Sequence, residues 1–259
     1  MKERKGTLSS GVRCLQILRL LSGAEEDLAL REIAEATGLH PSTAHRIVTT
    51  LVTEGFVQQQ PDRRYRLSIE AFAVGAGYLR RSAIRRAATP LVMRLAEQTH
   101  SSVNLAFWHK GKVVVVDCIP MPGMYHFYTE TGTIVPPHAT GIGKAILAFR
   151  GKSALAEIGP LTRFTINTIC TMPALVKEME RIHRDGYAID NEENILGCKC
   201  VAAPVLQSGR EAIAAISISA PPSMIPPERI PELAACVKEI CFTISMQIGH
   251  RPVAFPAKS

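Results

Sequence analysis

From Ser9 to Ser22 the apolar positions Val12, Leu15, Ile17, Leu18 and Leu21 recur at helical spacing, and Gly23 stands where such a helix would stop. Leu30, Ile33, Ala34 and Thr37 repeat at i, i+3, i+4 and i+7, and Gly38 can take the left-handed conformation that ends a helix. After the turn Gly38-Leu39-His40, Pro41 opens a third helix, where its fixed φ and missing N–H cost nothing. That helix turns Ala44, Ile47, Val48 and Leu51 inward. Its opposite face carries Ser42, Thr43, His45, Arg46, Thr49 and Thr50, short hydroxyls that reach phosphates and longer donors that reach base edges. A short helix, a glycine turn and a helix so divided are what a recognition helix in the major groove requires.

Gly55-Phe56-Val57 then leads into two short extended runs around Pro61-Asp62, a hairpin with Arg63 and Arg64 at its tip. This is the form of a wing that neutralises phosphates. Between Ser68 and Gln98 alanine and leucine are frequent and Pro90 divides the stretch, which predicts two consecutive helices with Arg80, Arg81, Arg85 and Arg86 at their junction. Beyond them, Ser102 to Trp108 and Lys112 to Ile119 predict a hairpin around Lys110-Gly111, and Ala212 to Ser219 a further strand. Pro173 to Asp185 reads as a helix with Leu175, Met179 and Ile182 on one side. The last helix carries the stripe Leu233, Val237, Ile240, Ile244 and Ile248. The expected class is α+β: a winged helix-turn-helix over 1–68, a linker helix over 69–82, an α/β sensing domain over 83–250 and a tail over 251–259.

Composition adds limits. With 259 residues, 46% of them hydrophobic, the chain has room for two buried cores. No apolar run reaches the roughly 18 residues of a membrane helix, and the first residues lack the apolar stretch of a signal peptide, so the expected place is the cytoplasm. The 7 cysteines are scattered and odd in number, which favours reduced thiols over disulfides. A net charge of +7 suits a polyanion, yet residues 1–66 hold ten Lys/Arg against eight Asp/Glu, a surplus of two. The case for DNA therefore rests on the helix pattern, not on charge.

Three features bear on ligand chemistry. Gly141-Ile142-Gly143 opens a helix running to Phe149, so that unpaired amides and the positive helix end can receive a carboxylate. Strand alternation puts Ser217 and Ser219 on one face. Buried hydroxyls there need a partner, either a ligand or the neighbouring backbone. Asp190 follows Gly186-Tyr187 where the chain should enter a sheet; as an anion it would repel a carboxylate, and it is expected to accept a hydrogen from a ligand hydroxyl instead.

The stretches Leu30-Arg-Glu-Ile-Ala-Glu-Ala-Thr-Gly-Leu39 and Pro41-Ser-Thr-Ala-His-Arg46 resemble the helix-turn-helix of the IclR family of bacterial regulators. More specifically, His138-Ala-Thr-Gly-Ile-Gly-Lys-Ala145, Gly186-Tyr-Ala-Ile-Asp-Asn-Glu-Glu193 and Gly197-Cys-Lys-Cys-Val-Ala-Ala-Pro204 stand in that family's order and spacing. The resemblance implies a GAF-like curved antiparallel sheet with the effector in its concavity. It places Gly141, Ile142, Asp190, Cys200, Ser217 and Ser219 at effector-contacting positions, with Phe127, Val135 and Cys198 at the apolar wall. The implied function is a transcriptional regulator, repressor or activator, acting on double-stranded operator DNA as a homodimer or homotetramer. A small effector of the carboxylic-acid type, a hydroxylated acid such as an aromatic or sugar-derived one, would control it.

Cys198 departs from the commonest family pattern and makes a Cys-x-Cys pair with Cys200. Without a second ligand pair at a recognised spacing this is a poor zinc site, and no metal or cofactor is expected. Catalysis is disfavoured too. Gly141-x-Gly-Lys144 lacks both the glycine spacing of a phosphate-binding loop and its following Ser or Thr, since Ala145 stands there. A Cys200 nucleophile with a His138 base has no third group to orient it. The remaining rival is a protein-binding adaptor built on the same winged helix.

Overall fold

The computed structural model describes residues 9–120, 129–208 and 211–249, and the chain divides into two compact units between Arg81 and Ser82. In the first, α1 (Ser9–Ser22), α2 (Leu30–Thr37) and α3 (Pro41–Thr53) are followed by the two-stranded β1 (Val57–Gln59) and β2 (Tyr65–Leu67), then α4 (Ile69–Arg81). Ile17, Leu21, Ile33, Val48, Leu51, Val57 and Tyr65 close into one buried cluster, each large aliphatic side chain stabilising by about 1.5–3 kcal/mol. Leu15, which the periodicity puts in the inner stripe of α1, is 53% exposed. Cys14 packs on the cluster in its place, so the inner stripe is Cys14, Ile17, Leu18 and Leu21, a true i, i+3, i+4, i+7 set. Helix α4 has no buried residue, and its Ile69, Phe72, Val74 and Tyr78 are exposed.

The second unit begins with α5 (Ala83–Thr99), whose N-cap Ser82 accepts the Arg85 N–H at 3.2 Å. Pro90, expected to divide this stretch, lies inside α5; the helix break is at Ser82. The ring is on the exposed side, while Ala88, Val92 and Leu95 are buried. Burial of that apolar face outweighs the roughly 3 kcal/mol cost of an interior proline.

Strands β3 (Ser102–His109), β4 (Lys112–Ile119), β5 (Ile134–Val135), β6 (Ala188–Asn191), β7 (Lys199–Leu206) and β8 (Ala212–Ala220) form one curved antiparallel sheet in the order β5-β4-β3-β8-β7-β6. The β3–β4 hairpin turns at Lys110 and Gly111, both at positive φ (48° and 77°), as a tight two-residue connection requires. A Cβ on Gly111 would stand 2.1 Å from the Glu157 carbonyl oxygen. Register shifts at Leu105/Ala106 and Val205/Leu206 interrupt the ladders and help the sheet curve. On one face lie α6 (Gly141–Ala148) and α8 (Met172–Asp185), packed on Val113, Val115, Ala202 and Ala215. On the other lie α5 and α9 (Ile230–Gln247), the latter burying Leu233, Val237, Cys241 and Ile244. The short α7 (Lys152–Glu157) and strands β5, β6 and β7 were not delimited by the sequence pattern.

Candidate functional site

In α3 the predicted division of faces holds: Ala44, Val48 and Leu51 are buried, whereas Ser42, His45, Arg46, Thr49 and Thr50 are exposed and Thr43 is half-buried. Thr50 spends its hydroxyl on the Arg46 carbonyl at 3.0 Å, and Ser42 pairs with the His40 ring at 2.8 Å. Thr43, His45, Arg46 and Thr49 border an open groove whose other wall includes Arg13 of α1, a basic residue the sequence argument did not select. In the hairpin, Arg63 is exposed at positive φ. Arg64 is half-buried. Its Nη1 donates to the Asp27 carbonyl at 2.6 Å and lies 3.3 Å from Glu32 Oε2, and that same carboxylate oxygen accepts the Ala29 N–H at the start of α2. Arg64 thus ties the wing to the helix-turn-helix, because a neighbouring carboxylate and carbonyl satisfy its donors.

The second unit holds a cavity of about 80 Å³ between the sheet and the start of α6. Among its lining residues are Val135, Gly141, Ile142, Asp190, Cys198, Cys200, Ser217 and Ser219; Phe127, assigned with them, lies outside the described residues. Strand register brings these distant positions together. Asp190 of β6 stands opposite Cys200 of β7, which stands opposite Ser219 of β8; Ser217 stands opposite Asn104 of β3. A polar row therefore crosses an otherwise apolar sheet. Asn104, Thr140, Thr129 and Asn194 also line the cavity and were missed. The only available signals were an Asn inside an apolar strand run and a Thr directly before Gly141, a usual helix N-cap.

Helix α6 is seated by that threonine. Thr140 Oγ1 accepts the Gly143 N–H at 3.2 Å and donates to the Pro136 carbonyl at 2.9 Å. The N–H groups of Gly141 and Ile142, in the first turn, have no intrahelical acceptor. Their residues line the cavity, so the positive helix end faces it. Close approach demands glycine at 143, where a Cβ would fall 2.5 Å from the Pro137 carbonyl oxygen. Lys144, 1% exposed, turns away from the cavity to pair with the buried Glu193 carboxylate, with Glu178 Oε1 at 3.6 Å.

Glu193 in turn donates its backbone N–H to Asp190 Oδ1 at 2.7 Å. Burial raises the Asp190 carboxyl from 3.8 to about 7, helped by the negative charge of Glu193 and opposed by that hydrogen bond and by Lys144. Near neutrality both forms of Asp190 are populated, and the protonated one can donate. Cys200 has its thiol pKa raised by the adjacent Cys198 thiol, with the sulfurs 4.0 Å apart, and by burial. A protonated thiol is a poor nucleophile and a poor ligand. His138, its imagined base, is bonded through Nε2 to the Thr162 carbonyl at 2.9 Å. Among the described residues no three His, Cys, Asp or Glu side chains gather as metal ligands, and no helix is long and apolar enough to cross a membrane.

The comparisons with known proteins cover nearly the whole chain. Residues 12–61 match the IclR helix-turn-helix domain and residues 76–246 the bacterial transcriptional regulator IclR C-terminal domain. The chain is 33% identical to the HTH-type transcriptional regulator BhcR of Paracoccus denitrificans, over 96% of this chain and 90% of that one. The crystal structure of the Thermotoga maritima IclR shares 30% identity at a TM-score of 0.71, covering 94% of this chain and all of that one (100%). An IclR homolog from Microbacterium hydrocarbonoxydans, crystallised with 4-hydroxybenzoate, shares the fold at a TM-score of 0.78 and 22% identity, over 93% of this chain and 99% of that one. These families and relatives are transcriptional regulators, not enzymes. On two domain matches that together span most of its length, with the fold to support them, the chain belongs to the IclR family of DNA-binding transcriptional regulators.

Proposed function

We propose that this regulator reads a double-stranded operator through Ser42, Thr43, His45, Arg46 and Thr49 of α3, with Arg63 on a phosphate, and that a small carboxylic acid in the cavity controls that binding. Arg64 acts in this reading by holding the wing in place. The observation that carries the effector assignment is the opening turn of α6, whose Gly141 and Ile142 amides face a cavity that also receives Asp190, Ser217 and Ser219. The carboxylate sits on the amides, as anions do at helix N-termini, and neutral Asp190 donates a hydrogen bond to it or to a ligand carbonyl. The 4-hydroxybenzoate bound by the Microbacterium homolog supports an acid of this kind.

The protein works in the cytoplasm as a homodimer or larger homo-oligomer. The exposed apolar side chains of α4 support self-association, and two recognition helices on one duplex face predict a near-palindromic operator. Effector binding alters operator affinity only through a difference in its affinity for two arrangements of the protein. The test is fluorescence anisotropy with labelled upstream DNA. Arg46→Ala should weaken specific binding by about ten-fold or more while the melting of the second unit is unchanged. Unaltered affinity would remove α3 from the interface. A thermal-shift screen of small carboxylic acids tests the cavity: stabilisation lost in Ser217→Ala and Ser219→Ala supports the seat, and binding indifferent to both counts against it.

A further inference from the structure

Asn104 belongs to β3 and is only 6% exposed. Its Nδ2 donates to Ser219 Oγ at 3.3 Å, and the Ser219 hydroxyl donates onward to Cys200 Sγ at 3.1 Å. In this arrangement Ser219 accepts from Asn104 and donates to Cys200. The other end, Oδ1, is buried and has no hydrogen-bond partner among the described residues. A buried amide oxygen left unpaired is costly, and such groups in native structures point to a missing partner. Asn104 lines the same cavity as the α6 amides and Asp190.

We propose that Asn104 Oδ1 is the specificity element of the cavity, accepting a hydrogen bond from a hydroxyl of the effector, so that the site selects hydroxy acids over their deoxy counterparts. The inference rests on the cavity being the effector seat. Its chemical basis is the inventory of the lining groups. The Gly141 and Ile142 amides only donate, neutral Asp190 offers a donor, and Ser217 can do either. Asn104 Oδ1 can only accept, so the ligand atom facing it must carry a hydrogen. A carboxylate or keto oxygen placed there would meet the amide oxygen lone pair to lone pair. Gly141 lies against Asp190, Cys200 and Ala202 of β6 and β7, whereas Asn104 stands on β3, beyond β8 in the sheet. An acid group at one end and a hydroxyl at the other satisfy both.

The experiment is isothermal titration calorimetry on the full chain at pH 7 with matched probes: glycolate and acetate, lactate and propionate, 4-hydroxybenzoate and benzoate, with glycine and alanine as amine-bearing controls. Wild type should bind the hydroxy member of at least one pair about ten-fold or more tighter than its deoxy partner, the range expected when one buried acceptor is left unpaired. In Asn104→Leu, which keeps the number and branching of the side-chain heavy atoms, that ratio should fall to about three-fold or less. Asn104→Ser, smaller and still polar, carries the comparison if the leucine variant does not give the wild-type melting curve and circular dichroism. Equal binding within every pair, a hydroxyl preference that survives both substitutions, or preference for the amine probes would overturn the inference while leaving the acid seat standing. Failure of every probe to bind wild type would instead remove the seat, and the inference with it.

Discussion

Replacing Asp190 with Asn tests how the fold treats a buried acid. The carboxyl has an ordinary value of 3.8 and titrates near 7 in the folded protein. At about 1.4 kcal/mol per pH unit, that interval corresponds to roughly 4 kcal/mol between fully protonated and fully ionised limits. The sign follows from proton counting. Between those two values the native state binds the proton and the unfolded chain has lost it, so stability is fully present below about pH 4 and is lost as pH rises through 7. Between pH 5 and pH 8 the wild type should lose about 2–3 kcal/mol from this group alone. Asparagine can still accept the Glu193 N–H through its own oxygen, so the local turn is retained while the titration disappears. The assay is urea denaturation of wild type and Asp190→Asn at pH 5, 6, 7 and 8, read as the difference between the two proteins so that other titrations cancel. The difference should grow with pH in favour of the variant. Parallel curves would refute the argument, since they would mean that Lys144 and the Glu193 N–H hold Asp190 ionised against its burial.

Three further outcomes follow from contacts in the second unit. Gly143→Ala places a Cβ 2.5 Å from the Pro137 carbonyl oxygen, and overpacking against backbone should cost about 1–3 kcal/mol with loss of acid binding, read by melting and calorimetry. Lys144→Met leaves the buried Glu193 carboxylate without its cation and should destabilise by about 3–5 kcal/mol; adding Glu193→Gln should recover part of that loss, as a denaturant double-mutant cycle would report. Pro90→Ala restores a helix N–H at an exposed site inside α5 and should raise stability by about 1 kcal/mol; a lowered melting temperature would show that the helix depends on the proline.

The first unit was largely legible because its signals are local. Three helices follow from apolar spacing over a few turns, and the inner and outer faces of α3 follow from which residues recur every three or four positions. Tertiary packing decides three details. Hydrophobicity alone points Leu15 inward, yet helix geometry gives the place to Cys14. Pro90 predicts a helix break, yet the packing of Val92 and Leu95 overrides it. Charge and position at the wing are legible for Arg64, while its contacts Asp27 and Glu32 lie 37 and 32 residues earlier in the chain. Most of the cavity was reached through motifs carried by the resemblance, not through pattern.

What the amino-acid order determined by itself is the run of helices and hairpins, the turn at Lys110-Gly111, and the glycine-opened helix α6, for each depends on residues within a few positions of one another. What only the tertiary structure decided is the meaning of Asn104, Asp190 and Ser219. Asn104 meets Ser219 across 115 residues of chain through the β3–β8 register, and Asp190 becomes a weak acid only because sheet and helix remove it from water. Hydrogen bonding and desolvation act through space, and a polar residue in an apolar run shows neither its partner nor its depth until the strands have paired.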